Sequence, residues 1–195
     1  PPPGALAGGA AARPGRAAVN PNAYFRGPIA GAGVLPPRSI SPPLHLLDCC
    51  PVTDGGGAVV VTSEAVAAST PKAPVWVLGH GESHTHLTIA SMPDLTVTPA
   101  ALSGPVAMGM AGVTHADLDV VELYDSFTIT VIETLESLGF CAPGEGGAFV
   151  SGQRTAPGGD FPPNTNGGGL SYCHPGSYGI FLLIEATPQL RGERG

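Results

Sequence analysis

Three short runs of β-branched and other apolar residues, each followed by a helix-like stretch, constrain this chain more than any other feature. Ala58–Thr62 follows three glycines and reads as a buried strand, Pro74–Gly79 (PVWVLG) as a second, and Asp119–Tyr124 (DVVELY) as a third. Helical patterns lie between and after them. Ser63 is placed to cap a helix over Glu64–Ala68, and Thr98-Pro99 to open one towards Ala111, with Gly104-Pro105 interrupting it. Thr114-His-Ala-Asp117 has capping-box spacing with Asp in place of Glu. Phe127–Leu138 carries apolar residues at 127, 131, 135 and 138, and after His174-Pro175 the stretch GIFLLIEA reads as a last helix stopped near Pro188. Strand and helix alternate, which predicts an α/β fold.

Glycine (29) and proline (22) fill about a quarter of the 195 positions, and residues 1–37 hold 15 of them. Residues 1–18 offer almost no large apolar side chain and read as a disordered lead-in. Residues 19–53 read as an irregular loop segment, and 54–195 as the folded domain. The formal charge is −7 with only eight Lys and Arg, which argues against binding nucleic acid through its phosphates. Nothing approaches 18 consecutive apolar residues, and the N-terminus has no charged-then-apolar signal segment. None of the four cysteines forms a C-x-x-C pair, so a reduced, cytoplasmic setting is expected and no membrane span.

Two places could carry chemistry. Tyr124-Asp125-Ser126 ends the third predicted strand just before a helix, where α/β sheets present residues to a ligand crevice. The bland reading makes Tyr124 a half-buried aromatic and Asp125 or Ser126 a helix cap. The run Gly167–Gly176 (GGGLSYCHPG) puts His174 beside a proline suited to a helix start, and helix N-termini favour anions and developing oxyanions. A satisfied turn histidine is the competing reading. Tyr172 and Cys173 flank it and alternate sides if the segment is extended. The histidines at 80, 84 and 86 match no zinc spacing, so no metal is expected. Cys49-Cys50 reads as a small buried pair, Gly144–Gly147 lacks the phosphate-loop pattern, and no G-x-S-x-G elbow is present.

Taken together, SISPPLHLLDCCPVTDGGGAVVVTS, VELYDSFTIT, GFCAPGEGGAFV, NTNGGGLSYCHPG and EATPQLRGE resemble, in order over roughly residues 20–195, the C-terminal half of the thiolase superfamily. The likeness is greatest to the lipid-transfer or sterol-carrier-protein-x branch. It implies an αβαβα layered architecture of which this chain is a half, incomplete at both ends. It also implies chemistry at a carbon–carbon bond beside an acyl-CoA thioester. Acyl-CoA would be the substrate with no resident cofactor, and a homodimer the assembly.

None of the cysteines matches the family's nucleophile. His174 matches the histidine of its G-H-P motif, which handles the thioester oxygen. Tyr124 falls where ordinary thiolases have the asparagine of N-E-A-F and sterol-carrier types the histidine of H-D-C-F. A tyrosine there, with Tyr172, is similar to thiolase-like aldolases of steroid side-chain breakdown, which work with a small OB-fold partner. The resemblance thus implies Tyr124 and Tyr172 as an acid/base pair, one of them partly ionised, and His174 as the donor on the enolate side. Asp125, Gly168 and Gly169 would contact substrate. The functions in competition are acyl transfer, retro-aldol cleavage of a β-hydroxyacyl-CoA, and non-catalytic acyl-CoA or lipid binding.

Overall fold

Residues 17–27 and 38–194 are described in the computed structural model. Most of the predicted lead-in, residues 1–16, lies outside them. Ala17 is fully buried, and a side chain on Gly167 would press against it. Within 19–53 the chain forms an antiparallel hairpin, β1 (Ser39–Ser41) and β2 (Leu44–His45), with Ser39 opposite His45, then a 3₁₀ turn over Leu46–Asp48. Two contacts fix this segment to the approach to the third helix. Buried Asp48 accepts a hydrogen bond from Thr128 Oγ1 at 2.9 Å, and the Cys50 amide donates to Ser126 O at 3.0 Å.

Beyond the hairpin the chain forms six α-helices: α1 (Glu64–Ala67), α2 (Ala100–Ala111), α3 (Thr128–Ser137), α4 (Gly146–Phe149), α5 (Gly168–Ser171) and α6 (Gly179–Leu190). The capping box at Thr114–Asp117 forms, with the Thr114 amide and hydroxyl both donating to Asp117 Oδ2. Three details differ from the sequence expectations. Helix α2 runs straight through Gly104-Pro105, because Pro removes a single i→i−4 donor and Gly104 leaves room for Leu138 of the neighbouring element. It ends where Gly112 takes φ 69°, the left-handed conformation that glycine adopts without strain. Likewise α6 includes Pro188 and ends two residues later, and Ser63 precedes α1 without a side-chain cap.

The predicted strands are the larger difference. Among the described residues, paired strands occur only in the β1–β2 hairpin, with an isolated antiparallel bridge between Cys49 and Phe127. Residues 58–62, 74–79 and 119–124 are in none of them. Val60 and Val61 are 92% and 82% exposed, so the first run is not buried. A branched apolar run makes a buried strand only when a neighbour completes its ladder and covers its faces. Helices lie close to the first two runs instead: a Cβ on Gly57, just before the first, would meet Ile184 of α6, and one on Gly79, ending the second, would meet Ala107 and Ala111 of α2.

Among the described residues, packing centres on two clusters. Leu123, Ile132, Leu135 and Val150 form one, with Phe140, Phe149 and Phe161 around it edge to face. Its helical face is Thr128, Ile132 and Leu135 of α3, a register that leaves Phe127 at the rim. Cys173, Tyr178 and Phe181 form the second, under α6. The segment 121–125 runs from the first cluster to the second and ends at the candidate site.

Candidate functional site

Asn164 holds the end of that segment in place. The Leu123 amide donates to Asn164 Oδ1 at 2.6 Å, Asn164 Nδ2 donates back to Leu123 O at 2.9 Å, and the Asn164 amide reaches Val121 O at 3.1 Å. The chain then turns through Gly167 and Gly168, at φ 105° and 67°. Asn166 Oδ1 accepts the Gly168 amide at 2.8 Å. Asp125, only 2% exposed, accepts the Gly169 and Leu170 amides at 2.5 and 3.2 Å. It therefore caps α5 rather than α3, and joins the 121–125 segment to the turn that delivers Tyr172, Cys173 and His174.

This closeness requires glycine. A Cβ on Gly168 would collide with the Asp125 carboxylate, and one on Gly169 would stand 2.7 Å from His174 Cδ2 and 3.0 Å from Asp125 Oδ1. Asp125, Gly168 and Gly169, expected to contact substrate, are all buried. Their observed contacts place the turn.

The rings of Tyr124 and His174 lie 5.3 Å apart at 54°. Tyr124 is 44% exposed, while Tyr178 lies beneath at 1%. Tyr178 stacks on His174 at 5.5 Å and 8°, and is 6.0 Å from Tyr124. The His174 amide donates to Thr53 Oγ1 at 2.9 Å, and His174 Nε2 and the Tyr178 hydroxyl are both buried without a protein partner. His174 precedes α6 by a turn over 176–178, so it is near the helix but not at its first residue. Tyr172 packs edge to face on Phe181 at 5.9 Å, and Phe181 stacks on Tyr178 in turn, so two rings stand between Tyr172 and the Tyr124–His174 pair. Tyr178 was not singled out in the sequence; its signal was its place four residues after His174, on the approach to a helix.

Burial pushes the Tyr124 phenol up; the neighbouring Cys50 adds to this, and a Ser126 hydrogen bond opposes it. Burial also raises Tyr172, with Cys173 beside it. Both phenols are therefore protonated at rest, a correction to the partly ionised tyrosine expected from the sequence. Burial and the Asp125 charge push the Cys173 thiol up to about 11, and burial raises Cys141 as well. Neither is a thiolate near neutral pH. Among the described residues, no group of three His, Cys, Asp or Glu side chains is placed to hold a metal, and no helix is long and apolar enough to cross a membrane.

Residues 81–195 match a family model described as thiolase C-terminal domain-like. The chain is 41% identical over 184 residues to a 17-hydroxy-3-oxo-4-pregnene-20-carboxyl-CoA lyase of Mycobacterium tuberculosis, covering 90% of this chain and 47% of that protein. It is 38% identical to a steroid side-chain-cleaving aldolase of Thermomonospora curvata, covering 90% and 46%. It is 35% identical to an acetyl-CoA acetyltransferase of Methanothermobacter thermautotrophicus, covering 92% and 47%. A solved structure titled Ltp2-ChsH2(DUF35) aldolase superposes with a TM-score of 0.89 at 34% identity, covering 97% of this chain and 51% of that one. The chain spans about half the length of the curated relatives it matches.

Proposed function

The chain belongs to the thiolase superfamily as a thiolase C-terminal domain-like protein, and from that premise we propose that it is the C-terminal part of an acyl-CoA enzyme acting on a carbon–carbon bond next to the thioester, in lipid or steroid metabolism. Retro-aldol cleavage of a β-hydroxyacyl-CoA is the reaction the site favours. The observation that carries this is the exposed Tyr124 phenol ring 5.3 Å from the His174 ring.

In that reaction a base takes the β-hydroxyl proton and the Cα–Cβ bond breaks. Its electron pair enters the thioester as an enolate, and a proton then returns to Cα. No acyl-enzyme forms. Tyr124 and Tyr172 serve as the acid/base pair, and His174 stabilises the enolate oxygen. Because both phenols rest protonated, the one acting as base must first ionise. Asp125, Gly168 and Gly169 set the distance between the two halves of the site.

Acyl transfer is the second reading, favoured by the likeness to the acetyltransferase. It would need a nucleophile from residues outside this chain. The likeness to a two-component aldolase supports a partner protein, for which a small OB-fold subunit is our choice. We propose the layered αβαβα architecture and a homodimer on the family resemblance, and a cytoplasmic setting on the cysteine pattern of the sequence.

In the protein at the length of its relatives, Tyr124→Phe and Tyr172→Phe should each lower turnover of a β-hydroxyacyl-CoA by about tenfold or more. Unchanged turnover in both removes the assignment.

A further inference from the structure

A hydroxyl with a single hydrogen sits between the carboxyl groups of half-buried Glu122 and buried Glu185. Thr165 Oγ1 is 2.9 Å from Glu122 Oε1 and 2.7 Å from Glu185 Oε1, and Gln189 Nε2 donates to it at 2.9 Å. A threonine hydroxyl gives one O–H and receives on two lone pairs. Gln189 fills one lone pair, and the O–H satisfies one carboxylate. The other carboxyl can use the remaining lone pair only by donating, which requires a proton on it.

Glu185 is the better supplied with donors of the two. Arg194 Nη1 donates to its Oε2 at 2.6 Å and Gln189 to its Oε1 at 3.0 Å. Glu122 has no cation against it: its Oε1 accepts the Thr165 amide at 3.1 Å, and its Oε2 is buried without a protein partner.

We propose that Glu122 holds a proton against Thr165, and that this Glu122–Thr165–Glu185 arrangement is a pH-sensitive positioning device for the Tyr124–His174 site. Glu122 lies two residues before Tyr124. Thr165 lies between Asn164, which clamps Leu123, and Asn166, which holds the Gly168 amide. Loss of the proton leaves two anions competing for one O–H, and the strain falls on the loop that carries the turn to His174. The titratable groups facing Glu122 are Glu185 from α6, Asp125 from its own segment and Tyr178; Arg194 and Tyr172 face Glu185. Burial, opposed by the Thr165 hydrogen bonds and helped by Glu185 and Asp125, pushes Glu122 up to about 7.

An unfolded glutamate ionises near 4.5. Between that and about 7 the unfolded chain has lost the proton and the folded chain keeps it, so stability falls as pH rises through this window and levels above it. The proton on Glu122 stands on the geometry around Thr165, whereas its control of a reaction rests on the acyl-CoA reading above.

The test compares the chain with Glu122→Gln, which keeps a neutral hydrogen-bonding group. Infrared spectra of the unaltered chain should show a protonated carboxyl at pH 6 that disappears by pH 8. The Gly168 and Gly169 amide resonances should titrate with the same midpoint. The variant should lack that carboxyl band, its glycine amides should be flat over the range, and its melting temperature should lose this part of the pH slope. Absence of the carboxyl band in the unaltered chain overturns the proposal, whether or not the variant folds. So do glycine amides that titrate equally in both proteins. Tracking amides with no turnover of any acyl-CoA by the protein at its relatives' length would support the device and overturn only the functional reading.

Discussion

Gly169 shows how little room the site leaves. Its backbone amide is spent on Asp125 and the space its side chain would fill is taken by His174. Gly169→Ala should cost about 1–3 kcal/mol, read by chemical denaturation, and should displace the imidazole. Asp125→Ala should act on the same turn by leaving the Gly169 and Leu170 amides buried and unpaired, at a cost of about 1–3 kcal/mol. The phenols give a pH prediction with a definite sign. Both are raised, so a reaction needing one ionised should still be gaining kcat/KM between pH 8 and 9. A maximum near pH 7 would transfer the base role away from them. At this level the sequence was legible as far as His174 and Tyr124. It could not show Asp125 capping α5, because that contact joins residues 44 positions apart. Nor could it distinguish Tyr178 from any other buried aromatic.

Among the elements, helices were easier to read than strands, for a physical reason. A helix satisfies its own backbone, so the patterns over 100–111, 128–137 and 179–190 carry their own evidence. A strand depends on neighbours that local sequence does not specify, and residues 58–62 and 74–79 have no paired neighbour among the described residues. Proline misled twice, at 105 and 188, because one lost donor does not end a helix whose other contacts hold. Leu135 is the fully buried centre of α3. Leu135→Ala should destabilise the chain by about 2–5 kcal/mol in equilibrium unfolding, more than any exposed substitution on α2.

Across the described residues, the first two of the three apolar runs expected to form strands are open. Val60, Val61, Val77 and Leu78 are each more than 60% exposed. Surface of this kind favours association, so the chain should sediment as more than a monomer at micromolar concentration. Replacing Val60 and Val61 with Lys should reduce that. The site stands apart from those runs, on the residues that join the two packed clusters, and its meaning depends on Tyr124 and His174 acting on one ligand. Ring resonances of both residues, followed while the chain is titrated with acetyl-CoA and separately with free CoA, address this without requiring turnover. Both rings should shift together with the thioester and not with CoA alone; a thioester that moves one ring and leaves the other unchanged would contradict a shared site.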